Sequence, residues 1–520
     1  MNLLTDSWIP VRRVDGTRDC ISPLDILRDS AENPVQRIDS VRPDFEGSLY
    51  QFLIGLYQIL LSPKDTEAWW DLFEETPEPE TLRERIDLLI PAFELDTGEH
   101  RFMQDGSVSD TEEWSIGNLL IEINNTLFLK SGVIRHLCPT CAAMALLTLQ
   151  LNSPSGGRGH MTSLRGGGPL TTILMLPDSE MTLWNTVVLN LLTESEFRTS
   201  RIPPVSSSEI VRIFPWLGNL PGSKGGKIVT TEDLHPFHVY WNVPRRIYLD
   251  FSSVSSGMCD LCGCLSDHLL TRYWSQAYGV KYGEDWSHPL TPYYASKESY
   301  LPVHGKAMGV TYSNWLGYVM CAEGKNPAMA VVSGLKHLES GSSDFLPSVR
   351  IFGYSMDKAK ARFWQDGLLP TVHVSSDPQE FQHHVSSILE TSRYLQFLLQ
   401  VKVKEAYTRD TSNLKGELSA LSSAFWNRTE HAFYDALHRL ADMQDDAEIL
   451  AVKLEWLRQV QGVVSGLFDE MVLFSPVSGG DPGLVARAKL GLKGGMSRKN
   501  AKICKSLDIP VEGNNKVRRK

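Results

Sequence analysis

Ser376-Asp377-Pro378-Gln379-Glu380 divides the chain. Asp377 is placed to accept amide hydrogens as an N-cap. Pro378 suits the first helical position, where its missing N–H costs nothing, and Glu380 would complete a capping box. The spacing predicts a helix starting at Pro378. Beyond it, Phe381, Val385, Ile388, Leu395 and Leu399 form one apolar stripe. Leu418, Leu421, Phe425, Ala432, Ala436 and Leu440 form a second. Leu450, Leu454, Leu457, Val460, Val464, Leu467 and Met471 form a third, and a weaker helix starts near Pro482. Amphipathic helices joined by short loops predict an up-and-down bundle over 377–520. No His or carboxylate set points inward, so the bundle reads as a docking module.

Upstream, short β-type runs such as Ile228-Val229-Thr230-Thr231 and Arg246-Ile247-Tyr248-Leu249 alternate with helical stretches. The clearest helix candidate is Glu46 to Leu61, with Leu49, Phe52, Leu53, Leu56 and Ile59 at helical spacing. Turn clusters at Pro203-Pro204, Pro221-Gly222 and Gly225-Gly226 punctuate this part. The expected fold class is α+β: a large mixed α/β N-terminal domain over 1–372, then a C-terminal four-helix bundle.

The chain has 520 residues, 42% hydrophobic and 22% charged. That composition excludes wholesale disorder, collagen and a disulfide miniprotein. The net charge of −11 is uneven: from Arg487 onward eleven Lys and Arg face only Asp508 and Glu512. That end carries +9 and the remainder −20. An acidic body does not coat itself in nucleic acid, but it can carry a few basic contact loops. The basic end reads as a solvated, frayed terminus. No run reaches the roughly 18 apolar residues of a membrane span. Residues 1–6 lack the basic and apolar regions of a signal peptide. A cytoplasmic protein without a membrane partner is expected, its eight cysteines being thiols or metal ligands.

Two C-x-x-C knuckles stand out: Cys138-Pro139-Thr140-Cys141 and Cys259-Asp260-Leu261-Cys262, the second followed by Gly263. Each turn presents two thiolates on one side of a tight loop, and two turns supply the four tetrahedral ligands of a structural zinc. The metal would staple distant segments, with Cys264 competing with Cys262 as a ligand. Glycine density marks Ser155-Gly156-Gly157-Arg158-Gly159-His160 and Leu164-Arg165-Gly166-Gly167-Gly168-Pro169. Such loops let backbone N–H groups approach phosphates or base edges, with Arg158 and Arg165 adding charge; a plain flexible loop is the alternative. Gly225-Gly226-Lys227 is not a Walker loop, because Ile228 follows and Pro221 stands where the first glycine belongs. No zincin, nucleophile-elbow, kinase or helicase motif occurs. A metal-dependent nuclease would rest on Cys, His and Asp groups such as Asp267 and His268, and a stand-alone zinc-stabilised DNA-binding regulator would need a basic recognition helix.

These residues, with others in order along the chain, resemble the CasA family, the large subunits of Cascade, the type I-E CRISPR surveillance complex. The resemblance is carried by Asn2-Leu3-Leu4-Thr5-Asp6-Ser7-Trp8-Ile9-Pro10-Val11 and Phe102-Met103-Gln104. It continues through the Cys138/Cys141 knuckle, Leu164-Arg165-Gly166-Gly167 with Pro169, Trp286, His288-Pro289, Gly353-Tyr354 and Glu430-His431-Ala432-Phe433-Tyr434. It implies a mixed domain followed by a four-helix bundle, beside the crRNA 5′ end in a complex with the other Cascade subunits. It implies recognition of the protospacer-adjacent motif (PAM) in double-stranded DNA, mainly from the minor groove. It further implies opening of the duplex for an R-loop and recruitment of the helicase–nuclease, with no catalysis by the chain itself. A degenerate minor-groove code needs little more than a backbone-rich loop and a lysine, and sequence is delegated to RNA pairing.

Residue by residue, the resemblance places the DNA-contacting Phe on Phe128 and the glycine loop on Ser155, Gly156, Gly157, Arg158 and Gly159. Arg158 stands where the family has its minor-groove glycine. The minor-groove lysine falls on Lys281. The strand-separating wedge falls on Asp357, Lys358 and Ala359, with Lys358 in place of glutamine.

Overall fold

The computed structural model describes residues 1–121, 130, 132–157, 159–177, 182–197, 202–297, 299–341, 345–357, 360–408, 418–474 and 481–511. They divide into two compact units, Met1–Val310 with Asn326–Leu368, and Thr311–Lys325 with Leu369 onward. The class is the expected α+β.

The first unit is organised around the helix Pro43–Leu61. Pro43 starts it, three residues before the expected Glu46, and sixteen of its nineteen residues are buried. Apolar residues occur all round it, as a helix enclosed by core requires. Phe52 meets Trp8, Phe93, Phe102 and Trp241 edge-on, with ring centroids 5.4–6.0 Å apart. Each such fully buried side chain contributes about 2–3 kcal/mol by area removed from water. The sheets are small. Ile9–Arg13 pairs antiparallel with Arg18–Ile21 and Val35–Ile38. Arg272–Gln276 lies between Glu112–Ser115 and Arg246–Leu249, so the expected run at Arg246 is a strand. Ser348–Asp357 lies between Thr171–Met175 and Lys360–Pro370. The run at 228–231 makes only an isolated bridge from Val229 to Tyr282. The Asp233 carboxylate takes the Thr230 amide at 2.8 Å and turns the chain away.

The second unit holds the bundle: Pro378–Tyr407, Ser419–Asp442, Asp446–Val472 and Pro482–Gly495, the first packing on each of the others. Asp377 caps the first helix, accepting the Gln379 and Glu380 amides at 2.9 Å. Among the described residues Glu380 makes no return bond, so the cap is Asp377 alone. The first stripe is buried throughout, and the second except half-buried Leu418. The third walks off the core. Leu457, Val460, Val464 and Leu467 are buried, but Leu450 and Leu454 are half-buried and Met471 is exposed. Ile449, Val452, Trp456 and Val472 take the core positions. A 3.5-residue repeat drifts against a 3.6-residue helix over 27 residues.

Two further features differ from expectation. Thr311–Lys325, within the expected 1–372 domain, packs in this unit instead. Tyr312 stacks on Phe433 at 4.4 Å and bonds the Thr429 hydroxyl at 2.7 Å. The basic end is not frayed up to residue 511: Pro482–Gly495 and a short helix Ala501–Leu507 bury Ala488, Leu492, Ile503, Cys504 and Leu507. Apolar residues interleaved with the charges anchor it.

Candidate metal centre and nucleic-acid interface

Cys138 is the N-cap of the helix Pro139–Asn152. Pro139 opens the helix, and the Cys138 sulfur accepts the Cys141 amide at 3.4 Å. The first knuckle is therefore a helix N-terminus, which favours thiolate. The second is the turn of an antiparallel ribbon, Val254–Met258 with Leu265–Leu270. The Cys259 amide bonds the Cys264 carbonyl, the Gly263 amide bonds the Cys259 carbonyl, and Gly263 takes a φ of +71° that suits glycine. That closure leaves Cys264 exposed. The four-cysteine cluster consists of Cys138, Cys141, Cys259 and Cys262, their sulfurs all within 4.8 Å of one another.

The Cys138 and Cys262 sulfurs are 3.7 Å apart. Metal–sulfur bonds of about 2.3 Å in a tetrahedron put sulfurs about 3.8 Å apart, whereas a disulfide needs about 2.05 Å. The donor set therefore fits a closed four-thiolate metal site. Without a cation the sulfurs compete. Hydrogen bonding to Cys138 pushes the Cys141 thiol up, and burial pushes Cys262 up to about 12. Cys259 moves the opposite way, because Cys138 and Cys141 donate to its sulfur.

A second latch ties the knuckles together. The Asp260 carboxylate accepts the Arg135 and His136 amides at 2.7 and 2.8 Å. Burial opposes its ionisation, but those two amides outweigh it and lower its pKa. Leu137 and Leu270 exchange both backbone bonds, at 3.0 and 2.8 Å. Sequence reasoning missed Asp260, although its place inside C-x-x-C marks it.

The helix Pro139–Asn152 runs from the first knuckle into the glycine loop. Ser155, Gly156 and Gly157 are exposed and Gly159 is half-buried. Gly157 and Gly159 have φ of +95° and +83°. Arg245 lies beneath the loop, donating to the Pro154 carbonyl at 2.5 Å, and a Cβ on Gly156 would come within 2.6 Å of its guanidinium. The Tyr278 amide donates to the Gly159 carbonyl at 2.7 Å. A Cβ on Gly159 would meet the Ala277 Cβ at 2.8 Å. Three residues beyond Tyr278 stands Lys281, exposed, its carbonyl accepting the Val229 amide at 2.8 Å. The structure thus brings the glycine loop against the segment leading to Lys281. Arg245 and Tyr278 were missed, since nothing local in sequence marks a partner some 90 or 120 residues away.

Arg165 is not the phosphate-facing cation expected. It is fully buried, bonded to Thr171, Thr291, Gln51 and the Leu151 carbonyl, and burial lowers it to about 10. It knits the core behind the loop. Asp357 ends the strand Ser348–Asp357, exposed and paired with Arg362. Phe128, Arg158, Lys358 and Ala359 lie outside the described residues. Asp267 and His268 are adjacent on a strand, so they face opposite ways. Among the described residues no third ligand joins them. No described helix is long and apolar enough to cross a membrane.

A mixed domain followed by a helical bundle, with a pair of knuckles linked by the helix Pro139–Asn152 to a glycine loop, defines an α+β protein carrying a candidate nucleic-acid face. The sequence profile of the CRISPR-associated protein Cse1 family matches residues 2–467, and the chain belongs to that family. Its fold is that of CasA from Thermus thermophilus, with a TM-score of 0.70, 17% identity, and coverage of 95% of this chain and 99% of that one. Cse1 from Acidimicrobium ferrooxidans is also similar, with a TM-score of 0.67, 16% identity and 98% coverage of both chains. So is a chain of a CRISPR RNA-guided surveillance complex, at 0.64 and 15%, covering 95% of this chain and 99% of that one.

Proposed function

We propose that this chain is the large subunit of a type I-E Cascade complex in the cytoplasm, which reads the PAM of double-stranded target DNA from the minor groove. Ser155, Gly156, Gly157, Arg158 and Gly159 present backbone to the groove. Lys281 enters beside them, Phe128 braces the duplex, and Asp357, Lys358 and Ala359 part the strands to start the R-loop. The chain sits with the other Cascade subunits at the crRNA 5′ end and recruits the helicase–nuclease, acting as a binding protein rather than an enzyme. Cys138, Cys141, Cys259 and Cys262 hold a zinc ion that supplies a structural cross-link. The observation that carries the reading is the 2.7 Å bond from the Tyr278 amide to the Gly159 carbonyl, which fixes an exposed glycine loop against the Lys281 segment. A loop so held presents fixed donors at little ordering cost.

The test is a band shift of a target duplex by the crRNA-loaded complex with and without this chain, varying only the flanking triplet. The expected result is tight, flank-dependent binding, without cleavage, only when the chain is present. If the chain leaves flank dependence unchanged, the reading is wrong.

A further inference from the structure

The second unit holds a feature that PAM reading does not use. From Pro482 to Leu507 the chain carries seven Lys or Arg and no Asp or Glu. This segment is the folded pair of helices Pro482–Gly495 and Ala501–Leu507, held to the bundle by buried Ala488, Leu492, Met496, Ile503 and Leu507. Polar bonds fasten it as well: the Gln461 side chain donates to the Met496 carbonyl at 2.6 Å, and the Tyr394 hydroxyl donates to the Gly495 carbonyl at 3.3 Å. Two cations are committed internally. Lys489 pairs with Asp469 at 2.8 Å, and Lys502 lies 4.4 Å over the Tyr394 ring. Arg487, Lys493, Lys499 and Lys505 are exposed and in no ion pair among the described residues. Lys499, Lys502 and Lys505 recur every third residue.

We propose that this platform binds the phosphodiester backbone of nucleic acid, independently of flank sequence. Arg487 and Lys493 on the first helix, Lys499 in the connecting turn and Lys505 on the second helix are four unneutralised cations on one folded segment of a chain whose net charge is −11, like charges whose self-repulsion a polyanion relieves. Lysine is a point-charge phosphate ligand. On the platform itself Leu490 is an isolated exposed apolar side chain, not the apolar core that a protein partner's interface requires. Gly494 leaves open space where a side chain would stand, so a backbone can approach closely.

The experiment uses the full chain and measures binding of a labelled duplex DNA and a labelled single-stranded RNA across a salt series. The variant is the triple Lys493→Gln, Lys499→Gln, Lys505→Gln, with the triple Lys→Arg as the charge-preserving control. These side chains are exposed, so the bundle's thermal transition should not move. For at least one probe, affinity should fall by about tenfold at low salt. The log–log salt slope should flatten by about 0.9 per lost contact on duplex, or about 0.7 on single strand. The Arg variant should restore both, and the probe affected identifies the source of the phosphates. Unchanged affinity and slope on both probes would overturn the proposal. So would a loss confined to phosphatidylserine vesicles, run as a third probe in the same salt series. Flank dependence within the complex should survive the triple change, so failure here and failure of PAM reading are separable.

Discussion

Asp260 stands between two cysteines of the four-sulfur cluster yet spends its carboxylate on backbone, taking the Arg135 and His136 amides. Replacing it with Ala returns two surface amides to water. The expected cost is about 0.5–1.5 kcal/mol, with metal content unchanged and faster amide exchange at 135–137. Cys138→Ser should instead lower the zinc content itself. If Asp260→Ala releases metal, Asp260 supports the ligands and not the strand before them. A second residue sets an acid limit. Burial opposes ionisation of Glu196, but bonds from His337, Ser333 and the Thr193 amide outweigh it and hold the carboxyl near 2. Its folded value lies below the unfolded one of 4.5. The contribution is therefore complete above about pH 4.5 and is lost as pH falls toward 2, by up to about 3 kcal/mol. Denaturant titrations between these pH values should show that loss in the parent chain and not in Glu196→Gln; superimposable slopes would mean that the contacts contribute nothing.

Among the elements, the glycine loop is the one whose backbone cannot be re-coded. Gly159→Ala meets both a φ of +83° and Ala277 at 2.8 Å, whereas Gly157→Ala meets only its φ of +95° in open space. The first should erase flank discrimination in the band shift while zinc stays bound. The second should cost about 1–2 kcal/mol of backbone strain and leave the loop on Tyr278. Equal effects from both would show that the Tyr278 contact does not position the loop. The same loop shows what a sequence reveals. Knuckles, caps and glycine runs are local, so Asp377, Cys138 and the loop at 155–159 could be read directly. Arg165 could not: a run of glycines follows it, and Gln51 and Thr291, which bury it, are more than a hundred residues away. Tyr312 was hidden for the same reason, as its partners Thr429 and Phe433 lie across more than a hundred residues of chain. The third bundle stripe failed differently: a 3.5-residue spacing picks the right face in the middle of the helix but drifts off it at both ends, where Ile449, Val452 and Val472 are buried instead of Leu450, Leu454 and Met471.

For the whole molecule, the four-cysteine cluster and the bundle belong to separate units, and this has a thermodynamic consequence. The cluster joins sulfurs 124 residues apart in the chain, both within Met1–Val310. Closing a loop of that length restricts the unfolded chain by about 4–5 kcal/mol in the entropic picture used for cross-links, and metal binding is coupled to folding in the same way. The bundle has its own core of Phe425, Phe433, Trp456 and Phe468 with no cysteine in the cluster. Calorimetry of the full chain should resolve two transitions. A strong chelator should lower the one belonging to the first unit by several degrees and leave the bundle's transition and its helical signal in place. Flank-dependent DNA binding should fall with the first transition, because the helix from Cys138 to Asn152 leads straight into the glycine loop. Flank-independent binding by the basic platform should persist. A chelator that shifted both transitions together would show one cooperative body, and one that shifted neither would show that the four cysteines stabilise the fold as thiols alone.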